Sequence, residues 1–310
     1  MRIGSIAQHS NIGPLSPNIL GDRNSIIPNH VPGRLNDFPI YAWWDFTDIR
    51  ALGGGSSDAI ATNNLQQCDD KGPNNVGLSV DSSGKGPQFV ASGGQDDYPH
   101  ILLNTPVDND NSDYMKFINP QDINSRKFTA TIIFDMNTDN ITKTNTFFKL
   151  IGGDGSFTSF IEFKWDVIFD RLFVGISHSA HTDRFAYSTV SYQQLSGTVV
   201  GDANSNFNWV SMVLEADGTI KVYMRGVPIT LLQSGIFTDT TIVSANLVST
   251  LFDNDQIFDA SDVDSATQLD SKVYEVMMFN ESLSHQQLHG IDMYIKNKYK
   301  SYQFGRVNGY

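Results

Sequence analysis

Cysteine is almost absent: Cys68 stands alone among 310 residues, so no intramolecular disulfide can form and stability has to come from packing. Glutamate is nearly as scarce. Of 34 acidic residues only Glu162, Glu215, Glu275 and Glu281 are glutamate; aspartate and asparagine dominate, which makes helix formers few and turn formers many. Basic clusters are missing too. A net charge of −13 with dispersed Lys and Arg opposes binding to nucleic acid phosphates or an anionic membrane. No apolar run approaches the roughly 18 residues of a membrane span, and Met1 to His9 holds no uninterrupted apolar stretch of an export signal. The expectation is a chain without disulfide, membrane span or polyanion partner, in which Cys68 is an inert thiol in a loop.

What is present is period two. Phe128, Ala130, Ile132, Phe134 and Met136 alternate with Thr129, Thr131 and Asp135, and Phe157 to Trp165 repeat the pattern, as half-buried strands do. Asp217-Gly218 between two apolar runs marks a tight hairpin. Counting such runs gives about a dozen short strands, the number a two-sheet sandwich needs. Long polar loops interrupt them at 53–87, 92–113 and 253–270, and loops of that length are functional or mobile. Residues 1–40 differ. Five prolines punctuate Ile12, Leu15, Ile19, Leu20, Ile26 and Ile27 without any period, which predicts an extended arm whose aliphatic residues dock, either on its own sandwich or on a neighbouring subunit.

The C-terminus carries the one well-signalled helix, over 284–300. Ser284 at the N-cap with Gln287 three residues on forms a capping box, and Leu283 and Leu288 occupy the staple positions. Leu288, Ile291, Ile295 and Tyr299 share one face, and Lys296, Lys298 and Lys300 sit where the helix dipole favours positive charge. The Glu275 strand, the turn Asn280 to Ser284 and the Tyr-x-x-x-Lys-Tyr ending at Tyr294, Lys298 and Tyr299 resemble the C-terminal signature of concanavalin A-like jelly-roll domains of the laminin-G type. Trp44-Asp45 with Asp48, and the Asp-x-Ser-Gly-x-Gly loop from Asp81 to Gly86, are similar to upstream parts of that family. The resemblance implies an all-β, two-sheet jelly-roll sandwich over 41–300, with an N-terminal arm over 1–40, one C-terminal helix and a tail over 301–310. Function has to come from the site, because this fold hosts many.

Retaining β-glucanases of this class carry Glu-x-Asp-x-Glu on one strand, with carboxylates about 5 Å apart; that motif is absent, so the expectation is no enzyme. His178 and His181 flank a turn and offer too few ligands for a structural zinc. Calcium is better served: the oxygen-rich segment with Asp253, Asp255 and Asp259 offers hard ligands in alternation. Trp43 and Trp44 are adjacent on a strand, so one faces the core and the other is exposed or covered by the arm. Tyr98, flanked by Asp96, Asp97 and His100 in a loop, is the candidate exposed aromatic for stacking a pyranose ring.

The proline-punctuated arm, laminin-G-like sandwich and lack of a catalytic motif are similar to structural proteins of tailed bacteriophages. That resemblance implies a non-enzymatic virion protein, a head decoration or tail component assembled in host cytoplasm. Its arm would join other virion proteins as a homo-oligomer or part of a larger assembly, and its sandwich would bind subunits or host-surface glycans. A carbohydrate-binding lectin module of a cellular protein is the first alternative, and an atypical glycoside hydrolase or polysaccharide lyase is the second.

Overall fold

The computed structural model describes residues 38–48, 60–61, 64–80, 86–103, 115–123, 127–136, 145–153, 158–166, 170–178, 181–191, 207–233, 249–252 and 271–299. In chain order the strands are β1 (Ile40–Asp45), β2 (Ile60–Ala61), β3 (Asn64–Leu65), β4 (Gln67–Cys68), β5 (Gly77–Ser79), β6 (Gln88–Val90), β7 (His100–Leu103), β8 (Met115–Ile118), β9 (Phe128–Met136) and β10 (Asn145–Gly153). They continue as β11 (Thr158–Asp166), β12 (Arg171–His178), β13 (His181–Ser188), β14 (Phe207–Leu214), β15 (Ile220–Met224), β16 (Val227–Ile229), β17 (Leu231–Gln233), β18 (Thr250–Leu251) and β19 (Ser271–Phe279), followed by helix α1 (His285–Lys298). The strand count exceeds the dozen expected because pairs of two- and three-residue strands lie inside the 53–87 segment, which periodicity could not register.

The strands form two sheets. One has ten strands in the order β16-β15-β14-β9-β19-β7-β6-β3-β2, with β1 paired to β19 off that path; the other has nine in the order β17-β13-β12-β11-β10-β18-β8-β5-β4. The long neighbours β9 and β14, β9 and β19, and β10, β11 and β12 pair antiparallel along most of their length. Phe128, Ala130, Ile132 and Phe134 of β9 join Leu150, Phe163, Leu172 and Val174 of the other sheet in one core cluster. Alternation thus aims one face of each sheet at a shared interior.

The opposite face of β9 was expected to be solvated. Instead Thr129, Thr131 and Ile133 are fully buried, because α1 lies on that side. Trp43, Ile133, Trp209 and Tyr274 of the sheet meet Leu283, Leu288, Ile291, Tyr294 and Ile295 in a second cluster. Thr129 Oγ1 donates to the Glu281 carbonyl and accepts from the Leu283 N–H, fixing the turn that launches the helix. The Ser284–Gln287 capping box forms as the spacing requires, and both staple leucines are buried. Trp44 fills the core between the sheets, while Trp43 is covered by the helix, its ring edge-on to Tyr294 at 5.8 Å. Cys68 is not in a loop: it lies in β4, wholly buried in the core, where burial pushes its thiol well up and keeps it protonated and unreactive.

Candidate functional site

A register shift in β19 decides what sits beneath the helix. Val273, Val276 and Met278 face the inter-sheet core, whereas Tyr274, Met277 and Phe279 face α1; the irregularity between Val273 and Glu275 lets Glu275 follow Tyr274 onto the helix side. Bulges re-aim side chains in this way. Glu275, fully buried, accepts hydrogen bonds from Trp43 Nε1 at 2.9 Å, from the Tyr294 hydroxyl, from the Tyr299 hydroxyl and from Lys298 Nζ at 2.7 Å. Lys298 also reaches Asp45 Oδ2 at 2.9 Å, and Lys71 bridges Asp45 and Asp48 at 2.7 and 2.9 Å. Two lysines and three carboxylates therefore form one chain of ion pairs between β1, β19, the 71 region and the end of α1.

Burial opposes ionisation of Asp45, but Lys298 and Lys71 outweigh it and hold the carboxyl well below its usual range. For Glu275 burial wins and pushes the carboxyl up, against the pull of Lys298 and Tyr299. Lys298, placed by sequence where the helix dipole favours positive charge, has only 12% of its side chain exposed. The network joins the helix to the sheet and offers no carboxylate to solvent.

The turn between β6 and β7 leans on this network. Gln95–Asp97 form a short 3-10 turn, with Asp96 and Asp97 at positive φ and exposed, and Asp97 Oδ1 accepts from the Gly93 N–H at 2.8 Å. Tyr98 was expected to be an exposed aromatic. It is half-buried, its ring 5.2 Å from Tyr299 and its hydroxyl donating to the Lys298 carbonyl. His100 is buried in β7, over the Tyr274 ring at 5.8 Å. A Cβ on Gly94 would come within 2.7 Å of Tyr274 and 2.9 Å of His100 Nδ1, so only glycine lets the turn close over both rings. Of the four residues, two carboxylates face solvent and two rings serve packing.

Burial lowers the His100 pKa, and Lys272 lowers it further against the Tyr98 carbonyl. The neutral ring is thus the folded form, and the unfolded chain takes up a proton first. Stability held above pH ~6.5, the ordinary imidazole value, should decline as pH falls below it. The raised carboxyls of Glu275 and Asp135 act with the opposite sign, so the informative measurement is the difference from His100→Phe. Thermal midpoints should fall with acidification more steeply in the wild type than in the variant; parallel slopes would refute the assignment.

Asp253, Asp255 and Asp259, and the arm residues Ile12, Leu15, Ile19, Leu20, Ile26 and Ile27, lie outside the described residues. His178 and His181 pair across the β12–β13 hairpin, and among the described residues no group of three or more His, Cys, Asp or Glu gathers as metal ligands. Sequence reasoning missed Lys71 and Trp43 as members of the buried network. The first lies in a stretch read as loop, and nothing local announces that a strand tryptophan will meet a glutamate 232 positions away.

The sequence matches no protein-family model and no curated protein. The fold does have counterparts among solved structures. The binding domain of Paraclostridial Mosquitocidal Protein 1 superposes with a TM-score of 0.55 at 12% identity, over 84% of this chain and 53% of that one. The botulinum neurotoxin serotype G binding domain gives 0.51 at 11% identity, over 82% and 51%. The serotype D ligand binding domain, solved in complex with N-acetylneuraminic acid, gives 0.50 at 12%, over 84% and 51%. This chain spans about half the length of each. At such identities the likeness is one of fold: a β-sheet body shared with the binding domains of protein toxins.

Proposed function

We propose that this chain is a non-enzymatic recognition domain, a concanavalin A-like jelly-roll sandwich that binds a cell-surface glycan. The observation that carries the reading is the fold shared with toxin binding domains, one of them solved with N-acetylneuraminic acid bound. The ion-pair network supports it. Asp45 and Glu275 share Lys298 between them inside the protein, whereas a hydrolytic pair has to flank a substrate bond in an open cleft. A glycan array probed with the full chain tests the reading: binding to a defined glycan class without release of reducing ends is expected, and silence across neutral and acidic glycans would refute it. Repeating the array with a chelator tests the calcium site proposed at Asp253, Asp255 and Asp259, since loss of hard-ligand calcium should weaken binding.

The setting we favour is a bacteriophage virion, because five prolines punctuate a segment holding Ile12, Leu15, Ile19, Leu20, Ile26 and Ile27 ahead of the sandwich in an acidic chain. Phe38 packs edge-on against Phe279, and the Pro39 carbonyl accepts from the Asn280 N–H, so a clean truncation ends at residue 37. Deleting 1–37 should leave the wild-type melting temperature and abolish incorporation into particles. Normal incorporation of the truncated protein would remove the arm from assembly.

A further inference from the structure

The end of α1 brings a primary amine against two carboxyl groups in a closed space. Lys298 Nζ lies 2.7 Å from Glu275 Oε1 and 2.9 Å from Asp45 Oδ2, and the two carboxyl residues are direct cross-strand partners in the β1–β19 register. Both are buried. The rings of Tyr98, Tyr294 and Tyr299 stand 5.9, 5.8 and 5.3 Å from the amine, walling the three groups with aromatic surface.

The two carboxyls are differently equipped. Glu275 Oε2 accepts from Trp43 Nε1 and from the Tyr294 hydroxyl, each at 2.9 Å, and two fixed donors on one carboxyl oxygen are the construction of an oxyanion hole. Oε1 faces Lys298 and the Tyr299 hydroxyl. The amine is thereby held against the carboxyl carbon in the manner of a near-attack arrangement. Asp45 is set up to remain a carboxylate: burial raises its carboxyl, but Lys298 and Lys71 outweigh burial and keep it ionised, with Thr47 Oγ1 donating at 2.6 Å. Burial pushes Glu275 the other way, toward the acid form that an amine attacks.

We propose that Lys298 and Glu275 condense after folding into an isopeptide bond, with Asp45 as the proton carrier. The folded chain starts as the ion pair described above. Asp45 takes one proton from the ammonium, and the freed nitrogen lone pair attacks Glu275 Cδ while the C=O pair moves onto Oε2, between Trp43 and Tyr294. Collapse re-forms the Oε2 carbonyl and expels Oε1 as water, which carries off the proton returned by Asp45 and a second from the nitrogen. The amide nitrogen keeps the third. An ammonium and a carboxylate thus become a neutral amide and one water, with no oxidant or activated donor consumed. Desolvation supplies the drive: a buried ion pair holds two charges whose removal from water its own attraction offsets only in part, and condensation removes both charges. The bond ties the last residue of α1 to β19, in the middle of the ten-stranded sheet. It is a covalent staple in a chain whose single cysteine supplies none.

The test is the intact mass of the full chain, held folded at neutral pH and then denatured, followed by peptide mapping. The expected chain is lighter than its sequence by one water, and proteolysis releases a branched peptide joining Glu275 to Lys298. Lys298→Arg keeps the cation but removes the attacking amine, so it should show the full mass. Asp45→Asn should form the branched peptide about a hundredfold more slowly, the scale of a lost general base. The wild-type map decides alone if either variant fails to fold. Full mass in the wild type after prolonged incubation overturns the bond, and so does a water loss mapped to cyclisation at Asp217-Gly218. A branched peptide that Asp45→Asn forms at the wild-type rate overturns the role of Asp45.

Discussion

Glu275→Ala is expected to cost about 3–5 kcal/mol, the range for removing one partner from a buried ion pair. The carboxylate accepts from four donors, namely Lys298 Nζ, Trp43 Nε1 and the hydroxyls of Tyr294 and Tyr299. Lys298 keeps Asp45 when Glu275 is lost, so its charge stays compensated. The two phenols and the indole do not, and each buried donor without an acceptor costs about 1–3 kcal/mol. Glu275→Gln should lose about half as much, since the amide oxygen still accepts while its NH2 faces Lys298. Lys221→Ala, which breaks the exposed Lys221–Glu215 pair, should cost about 0.5 kcal/mol or less. Urea denaturation of the three variants checks the order. If Glu275→Ala unfolds with Lys221→Ala, the network does not hold the helix to the sheet.

This network also explains what the sequence could and could not reveal. The motif Tyr-x-x-x-Lys-Tyr was legible as a family resemblance, and the structure supplies its physical reason: Tyr294, Lys298 and Tyr299 converge on Glu275. Trp44-Asp45 and Asp48 belong to the same construction through Lys71 and Lys298. The helix was legible because its caps are local, each contact lying within four residues. Burial of the second face of β9 was not, because Thr129 and Thr131 look like solvent-facing residues until a helix about 150 positions away covers them. The turn at 93–98 shows the same limit. Tyr98 and His100 sit among turn formers, yet Gly94 lets the backbone close on Tyr274 and His100, and sequence proximity carries no sign of that approach.

Gly86→Ala should be the most costly change of a single methyl group, on the order of 3 kcal/mol from backbone strain and overpacking together. Gly86 ends the Asp-x-Ser-Gly-x-Gly segment and takes φ +104°, a conformation that side chains with a Cβ rarely adopt. A Cβ there would collide with the Leu65 carbonyl oxygen and crowd the Val80 side chain at 2.7 Å. The collision cannot be relieved by a rotamer, because the carbonyl belongs to a fixed corner. Here β3 runs directly into β4 across the two sheets, and Val80 and Pro87 hold to that crossing. The Leu65 N–H donates to the Pro87 carbonyl at 2.8 Å, and the Val80 N–H donates to the Gln66 carbonyl at 3.1 Å. Shifting Leu65 would break the first of these and unseat a core residue that is fully buried. Gly93→Ala supplies the contrast: φ is +82°, but nothing lies within 4 Å of the added methyl, leaving about 1 kcal/mol of backbone strain alone. Denaturation midpoints for the pair separate crowding from strain. Equal midpoints would mean that the corner yields freely, and the close approach of Gly86 to Leu65 would then contribute nothing to holding it in place.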